Sequence, residues 1–239
     1  YNLEWWHTFG ANGHGERGNG VAALIAQTST TEPYDILGFQ ECSDGPLLLQ
    51  RSGLAGRYAI FRAREACQAY RLDRWTLLGH GSGYAAADIK YWKRPVQWMR
   101  LKHKATGRIV FFANHHGPIP INHGGICGGR SIAYELAKTM SQASQAGDAL
   151  ILAGDFNSEP GTAEIYSLEQ FLRRDYTGRD DNWSLDHIFS NIGAEGILST
   201  DTLGTGGSDH KAISIIYKLG AGSAFAPRPL PGPTPDFAM

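Results

Sequence analysis

The sequence predicts a layered α/β (α+β) domain in which two β-sheets are covered by helices, and three observations carry this prediction. Several short runs rich in aromatic and β-branched residues lie between Tyr58 and Ala113, separated by Gly and Pro, which is typical of an antiparallel meander. An amphipathic helix follows over about Ser131–Gln145. The continuous apolar run Ala149–Ala153 then indicates a strand buried on both faces. A meander followed by alternating helices and strands favours a layered architecture.

The remaining elements can be placed in chain order. We expect one domain over residues 1–219 and a Pro/Gly-rich tail, extended or disordered, over residues 220–239. Within the domain, Tyr1–Trp6 is predicted to be the end of a strand and an apolar helix is predicted around Val21–Gln27. The other predicted elements are a buried strand at Tyr34–Gln40, a helix at Thr162–Leu172, and strands at Leu185–Ser190 and Ala212–Tyr217.

Composition sets limits on the class of protein. The chain has 239 residues, 42% of them hydrophobic, which is enough for a sizeable core, and no apolar run approaches the ~20 residues of a membrane-spanning helix. A net charge of −1 carries no signature of a nucleic-acid-binding protein. Thirty glycines and few lysines favour a secreted, soluble protein. If it is secreted, we expect a disulfide that uses two of the three cysteines, with Cys42–Cys67 preferred among the three pairings.

Polar residues recur where the predicted apolar strands begin or end. Each of them alone is also a common turn or capping residue. If these ends converge, however, they form a cleft lined with metal ligands and proton carriers. The residues are Asn2, Glu41, His115 and His116, Asp155 and Asn157, Asp186 and His187, and Asp209 and His210.

These residues carry a family resemblance. The motifs YN-LEWW, FQE, NHH, GDFN, LDHIF and GSDH occur in the order and rough spacing of the endonuclease/exonuclease/phosphatase superfamily. The sequence resembles these deoxyribonuclease I-like proteins over about Asn2–Tyr217. The resemblance implies a four-layer sandwich of two mixed β-sheets packed face to face with helices outside. It also implies hydrolysis of phosphate esters with a divalent metal, usually Mg²⁺, with Mn²⁺ or Ca²⁺ as alternatives.

The resemblance also implies a role for each residue. A metal ion is expected beside Glu41, with Asn2 and Asp209 nearby, because carboxylate and amide oxygens suit a hard cation. Asp155 would position or deprotonate water, and one histidine would act as general base and the other as general acid. The implied catalytic residues are His115, Asp155, Asn157, Asp186 and His210, the phosphate-binding residues Asn157 and Asn2, and the metal-binding residues Glu41, Asn2 and Asp209.

The sequence departs from the family pattern in two places. The family's opening strand has several apolar residues before the Asn, where this sequence has only Tyr1, so the resemblance predicts that part of that strand is missing. Deoxyribonuclease I-type members also carry a glutamate that orients the central histidine. At the expected place, before Ile89, the sequence reads Ala-Ala-Ala-Asp, and Asp88 is the nearest carboxylate.

The central histidine is either His115 or His116. Adjacent residues on an extended strand point to opposite faces, so only one of the two can face the cleft. Alignment of Ala113 and Asn114 with the family's Asn-Thr-His run selects His116. Alignment of the paired phenylalanines, with Pro118 three residues past the histidine, selects His115, which we prefer.

The predicted function is that of a metal-dependent phosphodiesterase, foremost a deoxyribonuclease I-type endonuclease with nucleic acid as substrate. The loop Arg62–Arg74 holds four arginines that would suit a DNA backbone. A sphingomyelinase- or inositol-phosphatase-type enzyme is an alternative, with an apolar rim that includes Trp5 and Trp6. A second alternative is a structural protein that has lost activity and assembles through its C-terminal tail.

Overall fold

The computed structural model describes residues 1–9, 16–31, 33–89 and 93–220. The helices and strands lie as follows: α1 Trp5–Phe9, α2 Glu16–Thr31, β1 Ile36–Phe39, α3 Gly45–Arg51, β2 Tyr58–Ala63, β3 Ala66–Arg71, β4 Trp75–Ala87, β5 Lys93–His103, β6 Ile109–His116, α4 Gly129–Ala143, β7 Ala149–Asp155, α5 Ala163–Glu169, β8 Arg173–Thr177, β9 Asp186–Ser190, β10 Ile197–Gly204 and β11 Ala212–Tyr217. Within the described ranges, no helix is both long and apolar enough to cross a membrane.

The strands form one large sheet and two smaller ones. The six-stranded sheet has the order β4-β5-β6-β7-β9-β8 and is mixed, since β6 and β7 are parallel and the other neighbours antiparallel. The opposite layer consists of a three-stranded sheet, β1-β3-β2, and the pair β10-β11, both antiparallel. The expected α/β fold with two packed sheet layers is confirmed, and in the described residues the second layer consists of these two groups of strands.

Three apolar cores hold the layers together and confirm the sandwich. One lies between α4, α5 and the six-stranded sheet and includes Leu136, Ile165 and Phe189. Another lies between α2, α3 and the three-stranded sheet. The third fills the space between the sheets, where Val110 and Ile151 face the smaller sheets. Helix, sheet, sheet and helix therefore follow one another, which is the arrangement expected for two sheets that each bury both faces.

The predicted elements are found at most of their positions. The meander is confirmed, and the predicted helix and strand around Ser131–Gln145 and Ala149–Ala153 correspond to α4 and β7. The predicted strand end at Tyr1–Trp6 is mostly wrong, because Asn2 forms a single bridge to Gln40 and α1 follows. Helix α3 and strands β3, β8 and β10 were not predicted. Strand β3 lies within Arg62–Arg74, which was expected to be a loop, and the glycines of β4 obscured that strand.

Two predictions fall partly or wholly on residues outside the described ranges. The tail over residues 220–239 is described only at Gly220, and the aromatic run Asp88–Trp92, which lies within the predicted meander, is described only as far as Ile89. The division into one domain over residues 1–219 stays a prediction.

Candidate active site

The pairing of three neighbouring strands brings polar side chains to one edge of the six-stranded sheet. Strands β6 and β7 run in parallel, so their carboxyl ends lie side by side, and His116 pairs with Asp155. Strand β9 is antiparallel to β7 and begins at Asp186, which pairs with Asp155 from the other side. The register therefore places His116, Asp155 and Asp186 in one row across three strands.

Close backbone approach makes this edge compact. A Cβ atom on Gly117 would lie 1.8 Å from the carbonyl oxygen of Phe156, and one on Gly154 would lie 2.1 Å from that of His115. Only glycine therefore fits at both positions. Gly154 lies within β7, and Phe156, next to it in the chain after Asp155, is fully buried.

Asp155 is the centre of the site. Its Oδ2 accepts a hydrogen bond from Asn2 Nδ2 at 2.9 Å and lies 3.6 Å from His116 Nε2 and 3.7 Å from His210 Nε2. Its Oδ1 accepts from the backbone N–H of Asn157 at 2.8 Å. Burial raises the pKa of Asp155, but the charges of the two histidines and these hydrogen bonds outweigh burial and hold the pKa below its usual value. Asp155 is therefore an anion that two imidazole rings approach.

His210 is held by a second carboxylate. Its Nδ1 lies 2.7 Å from Asp186 Oδ2, which fixes the ring orientation and directs Nε2 towards Asp155. Burial lowers the pKa of His210, but the hydrogen bond to Asp186 and the charges of Asp155, Asp186 and Asp209 raise it to about 10. His210 is therefore a proton donor at neutral pH.

His116 also lies beside a carboxylate, one that sequence reasoning missed, and Arg94 Nη1 lies 3.0 Å from the Nδ1 of His116. Its Nδ1 lies 3.3 Å from Glu65 Oε1, and Arg94 Nη1 lies 2.7 Å from that oxygen. Burial raises the pKa of Glu65, but His116 and Arg94 outweigh burial and lower the pKa to about 2. The carboxylate beside this histidine, which the resemblance placed before Ile89, thus comes from the β2–β3 hairpin, while Asp88, the nearest carboxylate to the expected place, binds Arg94 Nε at 2.8 Å.

The preference for His115 as the cleft histidine is wrong on this geometry. His115 points to the opposite face of β6, where it is fully buried against Phe156 and its Nδ1 donates to the carbonyl oxygen of Pro95 at 2.8 Å. His116 is the histidine beside Asp155. The Asn-Thr-His alignment therefore had the correct register, and the alternation of faces along the strand is confirmed.

Glu41 and Asn2 lie on the other side of Asp155. Asn2 Nδ2 also lies 3.3 Å from Glu41 Oε1, so one amide joins two carboxylates. Glu41 has a φ of +54° and Asn157 one of +49°, which are uncommon for residues other than glycine and occur often at functional sites. Asn157 Nδ2 donates to the carbonyl oxygen of Gly117 at 3.2 Å.

The donor atoms near Glu41 are chemically suited to a divalent cation. Carboxylate oxygens of Glu41 and Asp155 lie on either side of the Asn2 amide, and hard cations prefer such oxygens. Asp209 is exposed, and its backbone N–H donates to Glu4 at 3.1 Å. A metal held by Glu41, Asn2 and Asp209 stays a prediction.

A second group of potential ligands lies beside His210. Among the described residues, Asp180, Asp186 and His210 place one ligand atom each within 4.8 Å of one another. These atoms already have partners, since Asp186 binds His210 and Asp180 accepts from the backbone N–H of Lys211.

Two cysteines beside the site are joined. Cys42 and Cys67 form a disulfide, which confirms the preferred pairing, and Cys127 is free and exposed. Because Cys42 follows Glu41 and Cys67 follows the β2–β3 turn that carries Glu65, the bond ties together the two segments that supply these glutamates.

Comparison with known proteins identifies a matching family and several proteins of similar structure. The family model described as "Endonuclease/Exonuclease/phosphatase family" matches residues 9–210. A mannosyl-6-phosphatase from Bacteroides thetaiotaomicron is structurally similar, with a TM-score of 0.66, 19% identity and coverage of 87% of this chain and 94% of that one. D. rerio TDP2 in complex with a single-strand DNA product gives a TM-score of 0.57, 15% identity and coverage of 83% and 91%.

The human nocturnin catalytic domain with a bound sulfate anion is a further similar structure, with a TM-score of 0.56, 18% identity and coverage of 82% and 86%. A search of curated proteins finds no match.

Proposed function

The chain belongs to the endonuclease/exonuclease/phosphatase family, whose members hydrolyse phosphoester bonds, and from this premise we propose that it is an Mg²⁺-dependent phosphodiesterase of deoxyribonuclease I type. One observation carries the proposal. Two histidines, each bound to its own carboxylate, direct their Nε2 atoms at the same oxygen of Asp155 from 3.6 and 3.7 Å. A protein that only binds a ligand has no need for two such oriented proton carriers.

Each of the two histidines carries out one of the two proton transfers of hydrolysis. His116, oriented by Glu65, accepts a proton from the water that attacks phosphorus, and Asp155 positions that water. His210, protonated at neutral pH, donates a proton to the leaving oxygen as the phosphorus–oxygen bond breaks. Asn157 Nδ2 keeps one N–H besides the one that it donates to Gly117 O, and offers it to a phosphate oxygen. Asn2 would donate to phosphate in place of one of its two carboxylate partners. A divalent metal beside Glu41 would supply charge neutralisation on the phosphate.

A nucleic-acid substrate is supported by arginines beside the site. Arg62 and Arg64 are exposed immediately before Glu65, and the guanidinium of Arg64 lies 5.6 Å from the centre of the Tyr84 ring. Exposed arginines suit a phosphate backbone. The related TDP2 structure contains DNA, which agrees with this substrate class.

A lipid or small-molecule phosphodiesterase is the second candidate, and one observation favours it. Trp5 and Trp6 are 45% and 60% exposed, and the backbone N–H of Trp5 donates to Glu41 Oε2 at 3.0 Å. An exposed tryptophan pair at the rim suits an apolar group or a ring. The third candidate, a decayed enzyme, loses support because Glu65 lies beside His116 as the carboxylate that was not found before Ile89 in the sequence.

Hydrolysis of three substrates by the same preparation tests the proposal. We expect Mg²⁺-dependent nicking of supercoiled plasmid that EDTA abolishes, and slower or no hydrolysis of sphingomyelin vesicles and inositol phosphates. His116→Gln should lower the rate by ~10²–10⁴-fold with the fold intact. His80→Gln, at an exposed position in β4, is the matched control and should leave the rate unchanged. Preferential hydrolysis of a lipid would select the second candidate, and no metal-dependent hydrolysis of any substrate would select the third.

We further propose that the protein works in an oxidising compartment, as a secreted protein does. The disulfide supports this location, because such bonds are rare in reducing compartments. Self-assembly through residues 220–239 is proposed on their composition alone, and size-exclusion chromatography of the chain with and without these residues would test it.

A further inference from the structure

Asn114 is a fully buried amide between the two sheet layers, two residues before His116 in β6. Its Nδ2 donates to the carbonyl oxygens of Phe39 and Cys67, each at 2.9 Å. Its Oδ1 accepts a hydrogen bond from Gln40 Nε2 at 2.6 Å. Both N–H groups of the amide are therefore used, together with its oxygen, and all three partners belong to the layer opposite β6.

The partners of Asn114 lie in the two segments that carry the glutamates of the candidate site. Phe39 and Cys67 are directly paired in β1 and β3, so one amide group binds both strands at the same step of their ladder. Glu41 follows Phe39 by two residues, and Glu65 precedes Cys67 by two residues. Asn114 therefore connects β6 with the segments of both glutamates.

This connection crosses the junction between the layers, on which the site depends. His116 and Asp155 end strands of the six-stranded sheet, whereas Glu41 and Glu65 follow β1 and β2 of the opposite layer. The two glutamate segments are also joined to each other, because Cys42 N donates to Glu65 O at 2.7 Å. Apolar contacts between the layers are not directional, so they hold the sheets together without fixing how one is shifted along the other. Buried hydrogen bonds have a defined geometry and do fix this shift.

We propose that Asn114 is a positioning residue of the candidate active site. It sets the distance between Glu41 and Asp155, and it sets the distance between Glu65 and His116 in the same way. An amide is suited to this role because it donates two hydrogen bonds and accepts another at one point. A carboxylate of the same shape would place its oxygens against two carbonyl oxygens, and a leucine would make none of the three bonds. The inference rests on the proposed function, since it concerns how the residues of that site are assembled.

A second buried amide in the same space supplies the control. Gln68 is fully buried in β3, and its neighbours Cys67 and Ala69 pack towards the helices, so Gln68 faces the six-stranded sheet. Among the described residues, neither Oε1 nor Nε2 of Gln68 has a hydrogen-bond partner. Gln68 therefore shares the location and the chemistry of Asn114 but not its contacts, and a leucine in its place removes only an unpaired amide.

The experiment compares Asn114→Leu with Gln68→Leu in the full chain, after circular dichroism has shown that each variant is folded at the assay temperature. We expect Asn114→Leu to lower kcat by about 10–100-fold and to weaken Mg²⁺ binding roughly tenfold in calorimetry, as does the loss of a group that orients a metal ligand. In its crystal structure, the distance from Glu65 Oε1 to His116 Nδ1, now 3.3 Å, should exceed the length of a hydrogen bond. Gln68→Leu should change kcat and Mg²⁺ affinity by less than about twofold and leave this distance unchanged.

A double-mutant cycle tests whether Asn114 acts through Glu65. If it does, Asn114→Leu should lower kcat by a smaller factor in a Glu65→Gln background than in the wild type, because the carboxylate that it positions is already lost. Should Asn114→Leu not fold, Gln40→Leu takes its place, since it removes one of the three hydrogen bonds. Its expected loss of kcat is about 2–10-fold, which corresponds to one neutral hydrogen bond.

Three results would overturn the proposal. Equal effects of Asn114→Leu and Gln68→Leu would show that any leucine in this layer disturbs the site. A lower thermal midpoint with unchanged kcat, Mg²⁺ affinity and Glu65–His116 distance would show that Asn114 serves stability alone. Losses of kcat that multiply fully in the double variant would show that Asn114 does not act through Glu65. Absence of hydrolysis by the wild type would instead refute the proposed function, and the Glu65–His116 distance in the variants would still decide the role of Asn114.

Discussion

The buried acid Glu164 makes the stability of the protein depend on pH in a way that can be calculated. Glu164 lies in α5, where its Oε2 accepts from the hydroxyl of Ser158 at 2.8 Å. Its Oε1 has no hydrogen-bond partner and lies 4.0 Å from His115 Nε2, which also has none. His115 Nδ1 donates to a carbonyl oxygen, so Nε2 of the neutral ring carries a lone pair.

These two groups are both neutral near pH 6, although they lie at the distance of an ion pair. Burial raises the pKa of Glu164 to about 8, against the hydrogen bond from Ser158, and the charge of Asp155 adds to the increase. Burial lowers the pKa of His115 to about 4. A neutral carboxyl that donates from Oε1 towards His115 Nε2, with a small movement or through a water, would satisfy both atoms.

The pKa shifts determine the sign of the effect. The raised pKa of Glu164 gives a stability contribution that is complete below pH ~4.5 and is lost as pH rises to about 8, at about 1.4 kcal/mol per pH unit. The lowered pKa of His115 gives a contribution that is complete above pH ~6.5 and is lost as pH falls to about 4. Between pH 4.5 and 6.5 the two effects on the free energy of unfolding cancel. Between pH 6.5 and 8 only the effect of Glu164 remains, and it lowers the free energy of unfolding by about 2 kcal/mol.

Glu164→Gln isolates this effect, since the amide keeps the shape, accepts from Ser158 and can donate to His115. The free energy of unfolding of the variant minus that of the wild type should rise by about 1.4 kcal/mol per pH unit from pH 4.5 to 8, up to about 5 kcal/mol in total. Urea unfolding followed by tryptophan fluorescence measures this difference at each pH. Glu135→Gln, in α4 beside Lys138, is the control and should change by less than about 1 kcal/mol at every pH. A difference for Glu164→Gln that does not vary with pH would refute the reasoning.

Three further predictions concern the active-site region. Glu41→Gln should weaken Mg²⁺ binding at least about tenfold in calorimetry, and unchanged binding would exclude Glu41 as a ligand. Cys42→Ser should lower the free energy of unfolding by roughly 3–4 kcal/mol, because the bond to Cys67 closes a loop with a sequence separation of 25 residues; a loss below about 1 kcal/mol would contradict this. Asp186→Asn should lower the pKa of His210 from about 10 towards 6.5, as followed by NMR titration, and should remove a stability contribution that is complete below pH 6.5 and lost by about pH 10. An unshifted titration would show that Asp186 does not set this pKa.

The sequence by itself determined the elements whose pattern is local. The apolar run at Ala149–Ala153 is a buried strand because no polar residue interrupts it, and Asp155 and Asn157 follow it directly in the chain. The motif order correctly indicated that Asn2, Asp186 and His210 lie near Asp155. Alternation along β6 likewise required His115 and His116 to point to opposite faces.

Only the tertiary structure decided which of those faces is the site. The two-residue period of a strand places adjacent side chains on opposite faces, but it does not determine which face packs against the helices. Here His115 packs against Phe156 and binds Pro95, so His115 lies in the core. The role of Glu65 could not be predicted from the sequence, for a related reason. Its role depends on the β2–β3 hairpin lying over the end of β6, a contact between distant parts of the chain that no local pattern encodes.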